Sequence, residues 1–442
     1  MGSDIPVCDA RIVESGPGGH AVKTGSTFPH DALMECLCHF CRFPKAASLN
    51  LPTRALEIRL GALQAASFVS HGVYLPFFPL WLQSKALSPT LIGFVVAIPI
   101  VVRIVATAPL LSLADRSFGA RRLLLASHLG QILCFPLLML SDRSVTIITL
   151  VALVAFAQAA IIPGNDLVST NAVQRHPGLN YGRIRGSGSI AFFITNIVAG
   201  YLVGAFGPDV VILALTLIPI LGITATLAAV PDEIPDTLSR GQGKEMGASP
   251  ALPKVLWLLL IAGAITQGSH GALNAFASIH WRSLGFTDAA IGYFWAAGVI
   301  AEILVFVFLG RAVGRGSGVG LIVIGSAAAI LRFSVMSLQP GLGVTVVLQT
   351  MHSLTFAATH IGTMAALTAL APMRARGRAQ GIYGSLAAFT TAISTIGSGM
   401  IYERAGPLVF AAMAPLGATG LVLMLIVIRM LKAQPQSAGS GG

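Results

Sequence analysis

Twelve runs of about twenty residues with almost no charge recur along the chain. They lie near 60–82, 90–113, 122–141, 145–166, 186–206, 210–230, 254–280, 289–310, 317–338, 342–371, 379–402 and 407–431. Wound as helix at ~1.5 Å per residue, each is long enough to cross the ~30 Å of hydrocarbon in a bilayer. In hydrocarbon only helices and closed barrels satisfy their backbone polar groups, and the alternating ten-residue segments of a barrel are absent. The runs therefore predict an all-α membrane protein of twelve transmembrane helices. The run at 342–371 is long enough to be tilted or kinked.

The chain also repeats itself. Sliding it by 199 residues pairs Ser70-His71-Gly72 with Ser269-His270-Gly271, Gly93 with Gly292, Gly200 with Gly399, and Gly207-Pro208 with Gly406-Pro407, without a gap. A parallel repeat of six spans predicts two pseudo-symmetric six-helix bundles at 57–230 and 254–432 that rock around a central site, the plan of secondary transporters.

Three polar stretches frame the bundles. Residues 1–56 are rich in Gly, Pro and charge and read as a disordered cytoplasmic extension, with Met34 as an alternative start. Its Cys36, Cys38, His39 and Cys41 fall short of a closed four-ligand zinc site, so no metal and no cofactor is expected. Residues 231–253 read as a cytoplasmic linker and 433–442 as a flexible tail.

The net charge of +11 raises the question of nucleic acid, and the placement of the basic residues argues against it. With both termini cytoplasmic, sixteen Lys and Arg fall on the inner connections and C-terminus, and only Lys85, Arg143, Arg282 and Arg404 fall outside. That bias is the positive-inside pattern of a multi-pass protein of the cell's inner membrane. One chain holds both halves, so a monomer is expected. Helical His-Glu-x-x-His, nucleophile-elbow and phosphate-loop motifs are absent, so no enzyme is expected.

Between the second and third spans stands SLADRSFGARR, which resembles the cytoplasmic signature of the major facilitator superfamily. The resemblance implies a charge-relay gate formed by Asp115, Arg116, Gly119, Arg121 and Arg122. Ser112 replaces the expected Gly, and one extra residue separates Arg116 from Gly119. The segments FFPLWLQSKALSPTLIG, YGRIRGSGSIAFF, QGSHGALNAFASIHWRSLGFTDAAIGYFWAAGVIAEIL and LTFAATHIG together resemble the phenylpropionate permease family, which is similar to the lactose and nucleoside proton symporters. The resemblance covers most of 57–431 and implies import of a small organic solute coupled to protons.

Ionisable groups in mid-membrane are costly and by default functional. Arg103, fourteen residues after Pro89 and twelve before Asp115, falls near the midplane. The repeat maps it onto Glu302, so equivalent points of helices 2 and 8 carry opposite charge. The functional reading gives Arg103 an anion and Glu302 a proton; the alternative is a pair of structural ion bridges. The resemblance to the lactose symporters implies a coupling network of Glu302, Arg332 and His352, although Thr355 stands where their helix-10 carboxylate would be. Glu302 would be switched by Arg332 approaching or leaving.

His71, His270, His352 and His360 are alternative proton carriers, each with a helix-packing alternative. His71, His270, Gln267 and Asn274 are expected at the substrate. Asp166 is expected to brace Arg183 or Arg185 in a cytoplasmic gate. Phe77, Phe78, Phe276, Tyr293 and Trp295 are candidates for an aromatic wall, with packing as the alternative. The leading expectation is proton-coupled import of an aromatic or similar monocarboxylate such as 3-phenylpropionate. A neutral sugar or nucleoside is the alternative. Helix 5 lacks the internal Gly-Pro of drug antiporters, which argues against efflux, and a membrane sensor with the tail as output is the reading outside transport.

Overall fold

The computed structural model describes residues 53–231, 250–312 and 318–433. The extension 1–52, the linker at 232–249, the tail at 434–442 and the Arg116 side chain lie outside the described residues.

Twelve spans follow in chain order: α1 Thr53–Ser84, α2 Pro89–Leu113, α3 Ala120–Met139, α4 Ser144–Arg175, α5 Tyr181–Phe206 and α6 Val210–Ala229, then α7 Lys254–Ser283, α8 Asp288–Ala312, α9 Gly318–Met336, α10 Leu342–Leu370, α11 Arg376–Ala405 and α12 Leu408–Ala433. Among the described residues eleven helices are both long and apolar enough to cross a membrane. The remaining one, α1, spans 32 residues but buries Gln64, Ser67 and Ser70 among its apolar residues. Its polar content belongs to the protein interior, where α4 supplies hydrogen-bond partners for Gln64 and Ser67.

Local chemistry sets the helix ends. Ser88 caps α2 by accepting the Leu91 N–H at 3.3 Å, with Pro89 in the first helical position. Asn180 caps α5 through the Arg183 N–H at 3.1 Å. Gly207 and Gly406 stop α5 and α11 with φ of +80° and +52°, and the proline after each helps to bar the helix from continuing. The repeated Gly-Pro pairs are thus repeated helix stops.

Three spans lose regular winding near their middles. In α4 it breaks at Ala159–Ala160, and in α7 at Ser269–His270, where Ser269 and His270 donate back to Thr266 and Gln267. In α10 a wide π-helical stretch, Ser353–Ala358, follows His352. Breaks of this kind free backbone groups and recur where transporters bind solute.

Within the first bundle α1 packs on α5 and α6, and α3 on α6; within the second, α7 packs on α11 and α12, and α9 on α12. The bundles meet along α2 with α11 and α5 with α8. The close approaches lie at the end opposite the described termini, between Gly93 and Gly399 and between Gly200 or Gly292 and the facing helix. One apolar core there is continuous across both bundles, from Phe77, Ile92 and Val203 to Phe276, Ile291 and Phe410. Toward the terminal end the core divides: Leu60, Leu63 and Ile184 belong to one bundle, Leu256, Leu260 and Met424 to the other. The molecule is closed at one end and parted at the other.

Candidate functional site

The second bundle builds its polar centre around Arg332 of α9, which is fully buried. Its Nη1 donates to His352 Nδ1 at 3.0 Å and to Thr355 Oγ1 at 3.1 Å, and its Nη2 to Gln349 Oε1 at 3.2 Å. A guanidinium only donates, so His352 Nδ1 must accept and the ring's proton sits on Nε2. Nε2 lies 2.7 Å from Glu302 Oε1, to which it donates. The order is therefore Arg332, neutral His352, Glu302. Arg332 and Glu302 act on each other electrostatically, as expected from sequence, and the imidazole between them carries the hydrogen-bond contact.

A branch leaves Arg332 through Thr355. Its hydroxyl accepts from the guanidinium and lies 3.0 Å from His270 Nε2. His270 Nδ1 faces the Gln267 carbonyl at 2.9 Å and must donate there, so Nε2 accepts from Thr355. Breaks in α7 and α10 place these histidines: their rings lie 5.0 Å apart and cross at 80°. Gln267 donates its amide to the Phe356 carbonyl at 3.1 Å, inside the same cluster. Asn274 is half-buried one turn beyond His270. Gln349 has no pattern in sequence that marks it; only its position three residues before His352 on α10 places it near the site.

Truncating Arg332 strips a donor from His352, Thr355 and Gln349 at once. Arg332→Met should therefore destabilise the protein by about 3 kcal/mol or more, read as a lowered unfolding temperature in detergent.

The first bundle differs in its charge balance. Arg103 on α2 makes no ion pair or hydrogen bond among the described residues and is exposed, within electrostatic reach of His71. His71 donates Nδ1 to the Ser67 carbonyl at 3.1 Å, as His270 does to its own helix, while its Nε2 remains open. Arg185 also acts on His71; its guanidinium stacks 4.3 Å from the Phe68 ring and its Nε lies 3.6 Å from Asp166 Oδ1. The same oxygen accepts from Gln64 at 2.9 Å and from Tyr181 at 3.2 Å. Arg183 lies elsewhere: it pairs with Glu57 at 2.7 Å, beside an open groove of about 880 Å³ between α1 and α5.

In the connection between α2 and α3, Asp115 lies exposed in a π-helical turn, Ala114–Phe118. Gly119 follows with φ of +82°, a conformation that favours glycine. Arg121 is half-buried and Arg122 exposed at the start of α3. Of the aromatic candidates, Phe77, Phe78 and Phe276 are packed in the shared core, Trp295 is buried and donates to Ser278 at 3.0 Å, and Tyr293 is exposed with its hydroxyl 3.1 Å from that of Tyr201.

The chain is 29% identical over 357 residues to the probable 3-phenylpropionic acid transporter of Escherichia coli (strain K12), covering 78% of this chain and 91% of that one. It is 27% identical over 280 residues to the maltose permease of Geobacillus stearothermophilus, covering 62% and 69%. The crystal structure of the nucleoside transporter NupG shares the fold, with a TM-score of 0.69 at 17% identity over 86% of this chain and all of that one. A family profile described as MFS_1 like matches residues 64–412, and the chain belongs to that family of major facilitator transporters.

Proposed function

We propose that the protein imports a small aromatic or similar monocarboxylate, such as 3-phenylpropionate, together with a proton. The observation that carries the reading is the contrast between the walls. Arg103 bears a charge with no carboxylate against it among the described residues, whereas Glu302 and Arg332 balance each other through His352. A solute carboxylate would complete the first wall, with His71 Nε2 as a second donor. A proton arriving on Glu302 would leave Arg332 unbalanced, and the incoming anion restores the sum. One proton and one anion then move together. The kinship with a probable 3-phenylpropionic acid transporter supports the same solute class.

The distribution of basic residues supports a cytoplasmic terminal end. The state closed at the far end is then inward-facing. Asp115, Arg116, Arg121 and Arg122, with the Asp166–Arg185 and Glu57–Arg183 pairs, act as the inner gate when the parted ends come together.

The test is proton uptake by proteoliposomes on adding 3-phenylpropionate with the voltage clamped. An electroneutral cycle draws about 1.36 kcal/mol from each pH unit and ignores voltage. Uptake that instead grows with membrane potential, at ~2.3 kcal/mol per 100 mV, belongs to a neutral sugar or nucleoside moving with a proton. Kinship with a maltose permease favours that second reading. Arg103→Met should weaken the acid by at least roughly 30-fold, or ~2 kcal/mol, while leaving its neutral amide unaffected, as read from competition for transport.

A further inference from the structure

The first bundle encloses a second, smaller space. A cavity of about 10 Å³ lies between α1, α3, α4 and α6, lined by Ser67, Ser70, His71, His128, Gln131 and Gln158 among apolar residues. Most of these polar groups have protein partners. Gln158 donates to Gln131 at 3.2 Å, Gln131 to the Ser127 carbonyl at 3.4 Å, and Ser67 accepts from Asn165 at 2.7 Å. Three atoms do not: Ser70 Oγ and both ring nitrogens of His128. Their residues are 8% and 3% exposed, so bulk water does not serve them. The His128 ring lies against Gly222 of α6, where any β-carbon would overlap its Cε1 and both nitrogens. Glycine at 222 thus makes room for the ring.

We propose that this cavity is a buried water site, with Ser70 Oγ and an imidazole nitrogen of His128 as its principal ligands. The volume suits about one water, and buried polar cavities hold water where apolar ones stay dry. A neutral imidazole and a hydroxyl each offer one donor and at least one acceptor, and water complements either arrangement. Leaving such groups unmet costs about 1–3 kcal/mol each. No carboxylate lines the space, which argues against a metal cation. His71 is half-exposed and lines the same cavity, so the water lies one side chain behind the proposed anion wall. The site stands whatever solute the transporter carries.

The test joins a map with a thermal cycle. A cryo-EM map of the purified protein that resolves interior waters should show a peak about 3 Å from both Ser70 Oγ and a His128 nitrogen. Ser70→Ala and His128→Leu should each lower the unfolding temperature. Together they should lower it by less than the sum, since an apolar lining no longer needs water. His128→Gln, which keeps a donor and an acceptor, should retain the peak. A map with other interior waters but none here overturns the site, as do additive shifts. Where His128→Leu does not fold, Ser70→Ala decides alone: the peak must fade or move, and an unchanged peak overturns the assignment.

Discussion

Glu302→Gln should abolish solute-driven proton movement while leaving exchange of solute across the membrane intact. Glutamine keeps an oxygen that accepts the His352 Nε2 hydrogen, the contact that measures 2.7 Å in the native protein. It neither binds nor releases a proton. The variant therefore mimics a carrier that is always loaded, able to shuttle between faces with solute but unable to return empty with its proton discharged. Counterflow in proteoliposomes should persist near wild-type rates, and alkalinisation on adding 3-phenylpropionate should fall to background. Proton movement that survives would transfer the role to a histidine of the same network or to Asp166.

Leucine at Gly93 or Gly292 should leave the far end of the molecule unable to close. A β-carbon at Gly93 would stand 2.8 Å from the Thr395 carbonyl oxygen and 2.9 Å from Gly399 Cα; at Gly399 it would stand 2.7 Å from the Pro89 oxygen. At Gly292 it would overlap the Asn196 carbonyl oxygen. These obstacles are helix backbone, which yields only if whole bundles separate. Within each bundle the glycines have room once the other bundle withdraws, so the fold should survive. A cysteine introduced at Ala199 of α5, which is buried in the apolar core shared across the closed end, should become reactive to an impermeant thiol reagent from outside. Uphill uptake should fall by at least about tenfold with it. An unreactive cysteine in a transport-dead variant would mean that the glycine serves the fold instead of the gate.

The pairing of Gly93 with Gly292 and Gly200 with Gly399 is visible as repetition 199 residues apart. Which surfaces they touch is not visible, because contact across bundles depends on how two separately folded units meet. Helix phase explains another partial reading. Tyr181 and Arg185 are four residues apart on α5 and share a face, and both meet Asp166; Arg183, two residues from Arg185, turns away to Glu57. The charged members of the second wall stood out because charge is rare in these spans. Gln349 did not, since uncharged polar residues are common in membrane helices and only the Arg332 guanidinium gives it a role, and Thr355 was marked only by the carboxylate it lacks. His128 lacks even that signal: it sits in α3 of one bundle, opposite a glycine 94 positions later.

The apolar core joining both bundles at the far end has a consequence for measuring this protein at all. Each bundle keeps a private core toward the terminal end, but the larger shared core exists only while the far end is shut. Heat resistance is then partly a reading of posture. A solute, antibody or detergent that draws the bundles apart at the far end should lower the unfolding temperature even where it binds tightly, unless its own binding energy outweighs the core it opens. Ranking ligands by thermal shift alone would mistake some good openers for non-binders.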